Sequence, residues 1–506
     1  MKDQVANILQ QILHYNAASP LFFTELAFWV LLVFILFIYS FLYRQNRLRN
    51  IYLLAFSWFI YYQMNGAFLI MLIISCFFNY SFGMIIDKSQ KKKLWLSMGV
   101  ILNLSLLAYY KYAAFFTDIV NRFSGSNYEV YDWIGSFFEQ IFHITTTNHS
   151  IVLPIGISFY TFQAIGYLVD VKQEKVSVVK NPLDFAFFLS FFPQLVAGPI
   201  VRAAAFIPQL YQSYKLREEE FSHALFLIFK GLFKKMVIAD FLTLNLIDRV
   251  FDAPWAYSGL ENLASIYAYA IQIYCDFSGY TDIAIGLALI LGFKIPINFN
   301  SPYQATSLTD FWKRWHISLS RWLRDYLYIP LGGNRKGEFR TYINLMLTML
   351  LGGLWHGAHW RFVIWGAIHG LGLCIERLFS STKSKRKKQS RVSVLIRQVI
   401  TFHVVCFAWI FFRANDIDSI LRMLYQIQAN FIPPFTSDEW LLFLPTGIVL
   451  LVGFVIITVP IQAKESIRGW FIRQHWLLKS LLSLIIILLI QQVSQMGSQP
   501  FIYFRF

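Results

Sequence analysis

Trp315-His316 and Trp355-His356-Gly357, forty positions apart, set two imidazoles into an otherwise strongly apolar chain. A neutral imidazole can take a proton from a hydroxyl and return it to a leaving group near neutral pH. Moving an acyl group between oxygen or sulfur atoms demands that proton handling. Around the pair stand Asp310, Trp312, Lys313, Arg314, Ser318, Arg321, Arg324, Asp325, Arg335 and Lys336. Hydrocarbon rejects such a polar load unless it faces protein or a water-filled cavity.

His356 is the expected base. Gly352-Gly353 before it and Gly357 after it give room for close packing and for a break at the end of a helix over 341–356. The plainer alternative is a core histidine satisfied by a neighbouring carbonyl. His316 can be read as a second polar group that orients a donor or steadies charge, with Asp310, Arg314 and Arg321 placed to pair with one another. Its alternative is a buried ion-pair network beneath a girdle of interfacial tryptophans. His356, His359 and His369 also raise a metal site, but the glutamate of an H-E-x-x-H motif is missing and no cysteine is near, so no metal is expected.

Upstream, Tyr274-Cys275-Asp276-Phe277-Ser278-Gly279-Tyr280-Thr281-Asp282 puts two carboxylates and several hydroxyls inside an apolar segment. A proton relay, a substrate-lined cavity around Asp276 and Ser278, and a structural hydrogen-bond network all fit. The six-residue separation does not bring Asp276 and Asp282 to one helix face, so a paired acid and base is not indicated.

The elements that must hold these residues are membrane helices. Of 506 residues, 57% are hydrophobic and only 14% charged, against roughly 25% in soluble domains. The four cysteines lie in apolar segments without ligand spacing. The net charge of +16 is dispersed between and beside apolar segments, which argues for orientation in a membrane and against nucleic acid. Arg44, Arg47 and Arg49, then Lys88 and Lys91 to Lys93, then Lys383 to Arg391 mark cytoplasmic loops and place the N-terminus outside. The last run also suits anionic lipid.

An all-α, polytopic architecture follows, with about 11–12 transmembrane helices and re-entrant segments. Residues 1–20 form an interfacial amphipathic helix, ended by Pro20. Spans are expected at 25–43, 51–64, 66–86 and 94–115, with a polar outer stretch from Thr117 to Ser150. After a span over 151–170, the segment 183–199 is re-entrant, broken by Pro193 and Gly198-Pro199. Long helices cover 221–250 and 261–290, the first carrying Lys230, Lys234 and Lys235 on a protected or snorkelling face. Residues 306–333 dip into the bilayer within protein, and 341–356 and 360–379 lead to the basic cytoplasmic loop at 380–392. C-terminal helices fill 393–506. The whole of 1–506 reads as one domain.

Four segments carry a resemblance: Phe192-Pro193-Gln194-Leu195-Val196-Ala197-Gly198-Pro199-Ile200, Asp276-Phe277-Ser278-Gly279-Tyr280, Asp310-Phe311-Trp312-Lys313-Arg314-Trp315-His316-Ile317-Ser318 and Gly353-Leu354-Trp355-His356-Gly357. Together they resemble the membrane-bound O-acyltransferase superfamily. Trp409-Ile410-Phe411-Phe412-Arg413-Ala414 and Phe501-Ile502-Tyr503-Phe504-Arg505-Phe506 are similar to its bacterial alginate O-acetylation branch. The resemblance implies helices around a central through-membrane tunnel in the bacterial inner membrane, with the family's catalytic histidine on His356 and its second histidine on His316. It implies Trp312, Arg314, Trp315, Ser318, Trp355, Asp276, Ser278, Asp310 and Arg321 as walls of that tunnel.

It further implies an acetyl group taken from a cytoplasmic thioester, acetyl-CoA, with no tightly bound cofactor. The group would pass to a periplasmic acetyltransferase of the serine-hydrolase type and other acetylation subunits, and so to an exported polysaccharide such as alginate. D-Alanyl transfer to a surface polymer is the alternative within the family. Outside it stand a polymer or lipid transporter and a scaffold for a polysaccharide machine.

Overall fold

Long apolar runs rich in Leu, Phe and Ile form helices here because a backbone in lipid must satisfy its own hydrogen bonds. The computed structural model describes residues 2–16, 20–142, 151–195, 198–380, 390–432, 439–494, 499 and 501. Among these, every regular element is helical. Among the described residues five helices are long and apolar enough to cross a membrane, or six if the pair Phe443–Thr458 and Ile461–Arg473, bent by 99° at its break, is one span. The sequence suggested 11–12 crossings. The difference lies in apolar stretches that fold as shorter helices, such as Leu26–Leu42 and Ile157–Lys172. At 17 and 16 residues these lie at the short end of the lengths that cross a hydrocarbon layer. Phe34, Phe37 and Phe41 on Leu26–Leu42, Phe77, Leu395 and Ile400 are all exposed. Large apolar side chains spread this widely over the surface suit lipid rather than water.

The chain divides into two compact units, Met1–Lys215 with Gly292–Ile295, and Leu216–Leu291 with Pro296–Phe506. In the first, Lys2–Leu13 forms the expected N-terminal helix. Arg49, suggested as a loop cation, is instead buried. It donates to the carbonyls of Gln209, Leu210 and Gln212 at 3.3, 3.0 and 3.1 Å. The outer stretch from Thr117 is partly helical, continuing Ala113–Ser124 and then forming Trp133–Phe142, while 143–150 lie outside the described residues. The segment 183–199 is two short helices, Pro182–Ser190 and Phe192–Leu195, neither long enough to span.

The second unit is built on Glu218–Leu232 (α1) and the 32-residue helix Gly259–Ile290 (α2). Ser258 and Glu261 start α2 with reciprocal caps: the Glu261 carboxylate accepts the Ser258 N–H at 2.9 Å and Ser258 Oγ accepts the Glu261 N–H at 3.3 Å. Gly231 and Gly279 let the two backbones touch, since a Cβ on either would strike the carbonyl oxygen of the other. Past α1 the chain winds as π-helix over Phe233–Asp240 and Thr243–Ile247. That widened turn carries Lys235 Nζ to within 2.6 Å of both Asp240 and Asp276. Lys230 and Lys234 reach Asp282 at 3.0 and 2.8 Å.

The chain then forms the short helices Leu308–Arg314 (α3) and Ile317–Leu323 (α4), followed by Glu338–His356 (α5), Trp360–Ser380 (α6) and Arg391–Arg413 (α7). Most of the basic loop, 381–389, lies outside the described residues.

Candidate active site

His316 sits at the joint between α3 and α4 with φ +41°, in the left-handed region that non-glycine residues rarely adopt. Such strain persists only where the surroundings enforce it. Here Asn298 does so: its carbonyl accepts the Ile317 N–H at 2.9 Å, and its side-chain Oδ1 accepts from Ser318 N–H at 3.0 Å and Ser318 Oγ–H at 2.9 Å. The same Oδ1 lies 3.2 Å from His316 Nδ1. A backbone N–H can only donate, so the Asn298 atom facing it is the oxygen, and His316 Nδ1 must carry the proton. Nε2 therefore holds the lone pair. His316 is fully buried outside the spanning helices, and burial pushes its pKa down to about 3, so the ring is neutral.

His356 ends α5, as the glycines suggested. A Cβ on Gly353 would strike the Phe362 carbonyl, and one on Gly366 the Met349 carbonyl, so α5 and α6 lie backbone against backbone. The buried His356 ring packs against Trp355, Trp365 and Phe412 at 5.0, 5.1 and 5.2 Å between centres. Trp355 in turn lies 6.1 Å from His316, which also meets Phe277 in a T-shaped contact at 4.7 Å. The two histidines thus share one indole neighbour in a buried aromatic cluster. Apolar rings of this kind keep water out and strengthen each remaining polar contact.

The other suggested residues fall into three groups. Trp312 and Trp315 belong to the cluster: Trp315 stacks on Phe311 at 5.6 Å, and Trp312 Nε1 donates to His369 Nδ1 at 3.3 Å. Ser318 joins it through Asn298. Asp310 and Arg314 pair with each other at 2.9 Å, while Arg321 lies exposed on α4. Asp276 and Ser278 are bound to lysines instead, Asp276 to Lys235 and Ser278 to Lys234 at 3.0 Å. Phe277 between them is the residue of that run that touches the histidine.

Three contributors went unnoticed in the sequence. Asn298 lies in an irregular stretch without periodic signal. Glu376 accepts the N–H groups of Leu308 and Thr309 and the Thr309 hydroxyl, fixing the start of α3. Trp365 links His356 to His369. Only the i, i+4 spacing of Trp365 and His369 hinted at a shared face.

Ionisable residues inside a helical membrane protein are functional-site candidates by default, and two buried histidines near the end of a helix make such a candidate here. The model of the membrane-bound O-acyltransferase family matches residues 53–415. This chain belongs to that family and is an O-acyltransferase. It is 40% identical to the peptidoglycan O-acetyltransferase of Helicobacter pylori, over 76% of this chain and 74% of that one. It is 40% identical to the probable alginate O-acetylase of Azotobacter vinelandii, over 78% and 74%. At 30% identity it matches the teichoic acid D-alanyltransferase of Bacillus subtilis, over 52% and 69%.

Proposed function

We propose that this protein takes an acetyl group from a cytoplasmic thioester, acetyl-CoA, and passes it through the bacterial inner membrane for O-acetylation of an exported or cell-wall polysaccharide. The observation that carries this is the placement of His316 and His356, both buried and both in ring contact with Trp355. An acetyl thioester cannot cross a bilayer while its charged coenzyme is attached. A buried site where the acetyl changes carriers removes that obstacle.

In this scheme His356 takes the proton from the acceptor hydroxyl and returns it to the departing thiolate. His316, with its lone pair on Nε2, accepts a hydrogen bond from the acceptor and holds it in line. Arg335, Lys336 and Arg340 attract the donor's phosphates from the cytoplasmic side. The relatives named for acetylation of alginate and of peptidoglycan support acetyl as the group and a glycan as the destination. The partner is a periplasmic acetyltransferase of the serine-hydrolase type, which receives the acetyl and places it on the glycan. Transfer of D-alanine is the second reading, favoured by the D-alanyltransferase relative.

The test uses proteoliposomes of the full chain with labelled acetyl-CoA on one side and the partner acetyltransferase on the other. The proposal expects label on the partner or its glycan. Absence of both transfer and thioester cleavage would leave a transporter or a scaffold. Label from a D-alanyl thioester but not from acetyl-CoA would select the second reading.

A further inference from the structure

Trp365 and His369 stand four residues apart on α6, both completely buried, with ring centres 4.8 Å apart. Trp312 Nε1–H points at His369 Nδ1, 3.3 Å away. An indole N–H can only donate, so His369 Nδ1 carries the lone pair and the neutral ring carries its proton on Nε2. This is the opposite tautomer to that of His316. Neither His369 Nε2 nor Trp365 Nε1 meets an acceptor among the described residues. Buried N–H groups left without an acceptor are costly, and those that persist in native proteins require an explanation. Trp365 also packs directly on His356, at 5.1 Å.

Acyl transfer needs such donors. When a hydroxyl adds to a thioester carbonyl, the carbonyl's electron pair moves onto its oxygen, and N–H groups already aimed at that oxygen lower the barrier without reorganising. His316 cannot supply one as a neutral ring, because its single N–H is given to Asn298. The charge-steadying role suggested for His316 by sequence therefore passes to other side chains.

We infer that Trp365 Nε1–H and His369 Nε2–H are the pair that holds the acyl carbonyl oxygen. The inference rests on the acyltransferase site proposed above. The hydroxyl oxygen bonds to the carbonyl carbon as its proton goes to His356, and the resulting oxyanion is held by the two N–H groups. Collapse re-forms the carbonyl and breaks the carbon–sulfur bond. The thiolate takes the proton back from His356, leaving an ester and a free thiol. Trp312 acts as a positioning residue, since its N–H selects the tautomer of His369 that can donate.

The experiment is steady-state acetyl transfer by the purified full chain in proteoliposomes, with acetyl-CoA as donor. Trp365→Phe keeps an aromatic ring, smaller than the indole, and removes the N–H. His369→Asn removes the donor at the Nε2 position, while His369→Gln restores an N–H there. Expected are losses of roughly 100-fold in kcat for Trp365→Phe and His369→Asn. KM for acetyl-CoA should change by less than about threefold, and His369→Gln should recover at least about tenfold over His369→Asn.

A merely structural role predicts that Asn and Gln are equally impaired and that losses follow thermal stability in detergent; either result overturns the inference. Should Trp365→Phe fail to fold, the Asn and Gln pair still decides. His356→Ala in the same assay separates the two levels. Loss there with parental turnover in the donor variants overturns the donor pair alone, and parental turnover in all of them overturns the acyltransferase site itself.

Discussion

Asn298 Oδ1 lies 3.2 Å from His316 Nδ1 and so decides which nitrogen of that imidazole can take a proton. The same oxygen holds the Ser318 N–H and hydroxyl. One amide therefore fixes both the tautomer of His316 and the left-handed turn on which it stands.

Asn298→Asp gives a pH test. The parental His316 stays neutral down to about pH 3 because burial lowers its pKa. A carboxylate beside Nδ1 favours the imidazolium and raises that pKa. Protonated Nε2 cannot accept, so activity should be lost as pH falls through the raised value. The expected outcome is an acid limb of kcat/KM displaced to higher pH than in the parental protein. An unmoved limb would remove His316 from proton handling.

The close approach of α5 and α6 yields a stability prediction. Gly366→Ala pushes a methyl group into the Met349 carbonyl. Overpacking of this kind costs about 1–3 kcal/mol. A lower midpoint of thermal unfolding in detergent should accompany reduced turnover, because His356 ends the displaced helix. Gly447, where an added methyl group would meet open space, should accept alanine without loss.

Lys235 is predicted to be structural. It is 1% exposed and holds two carboxylates, Asp240 and Asp276, at 2.6 Å each. Lys235→Met leaves both buried without their counter-charge, and removing one partner of a buried pair costs about 3–5 kcal/mol. Folded yield should fall sharply. A well-folded Lys235→Met protein lacking only activity would instead return Asp276 to the chemistry.

These cases show what was legible in the sequence. His316, His356, Trp312, Trp315 and Trp355 stood out because polar and amphipathic groups are rare in lipid-soluble segments, and the structure gathers them into one cluster. Asp276 and Ser278 stood out for the same reason, yet their partners Lys235 and Lys234 come from another helix through a π-turn that hydropathy does not register. Asn298 and Glu376 gave no signal, since their importance comes from backbone groups far along the chain. Arg321 looked like a partner for Asp310, but α3 ends at Arg314 and the turn at His316 carries Arg321 to the exposed side of α4. Where each apolar stretch begins and ends as a helix is set by caps and breaks such as Gly66 and Gly156, which apolar composition alone does not register.

The claim on which the rest depends is that His356 moves the proton during acyl transfer. Purified, folded His356→Ala protein in proteoliposomes with labelled acetyl-CoA tests it most directly. Transfer should fall by at least roughly 100-fold, the lower range for removing a general base, with donor binding retained. Transfer at the parental rate would contradict it.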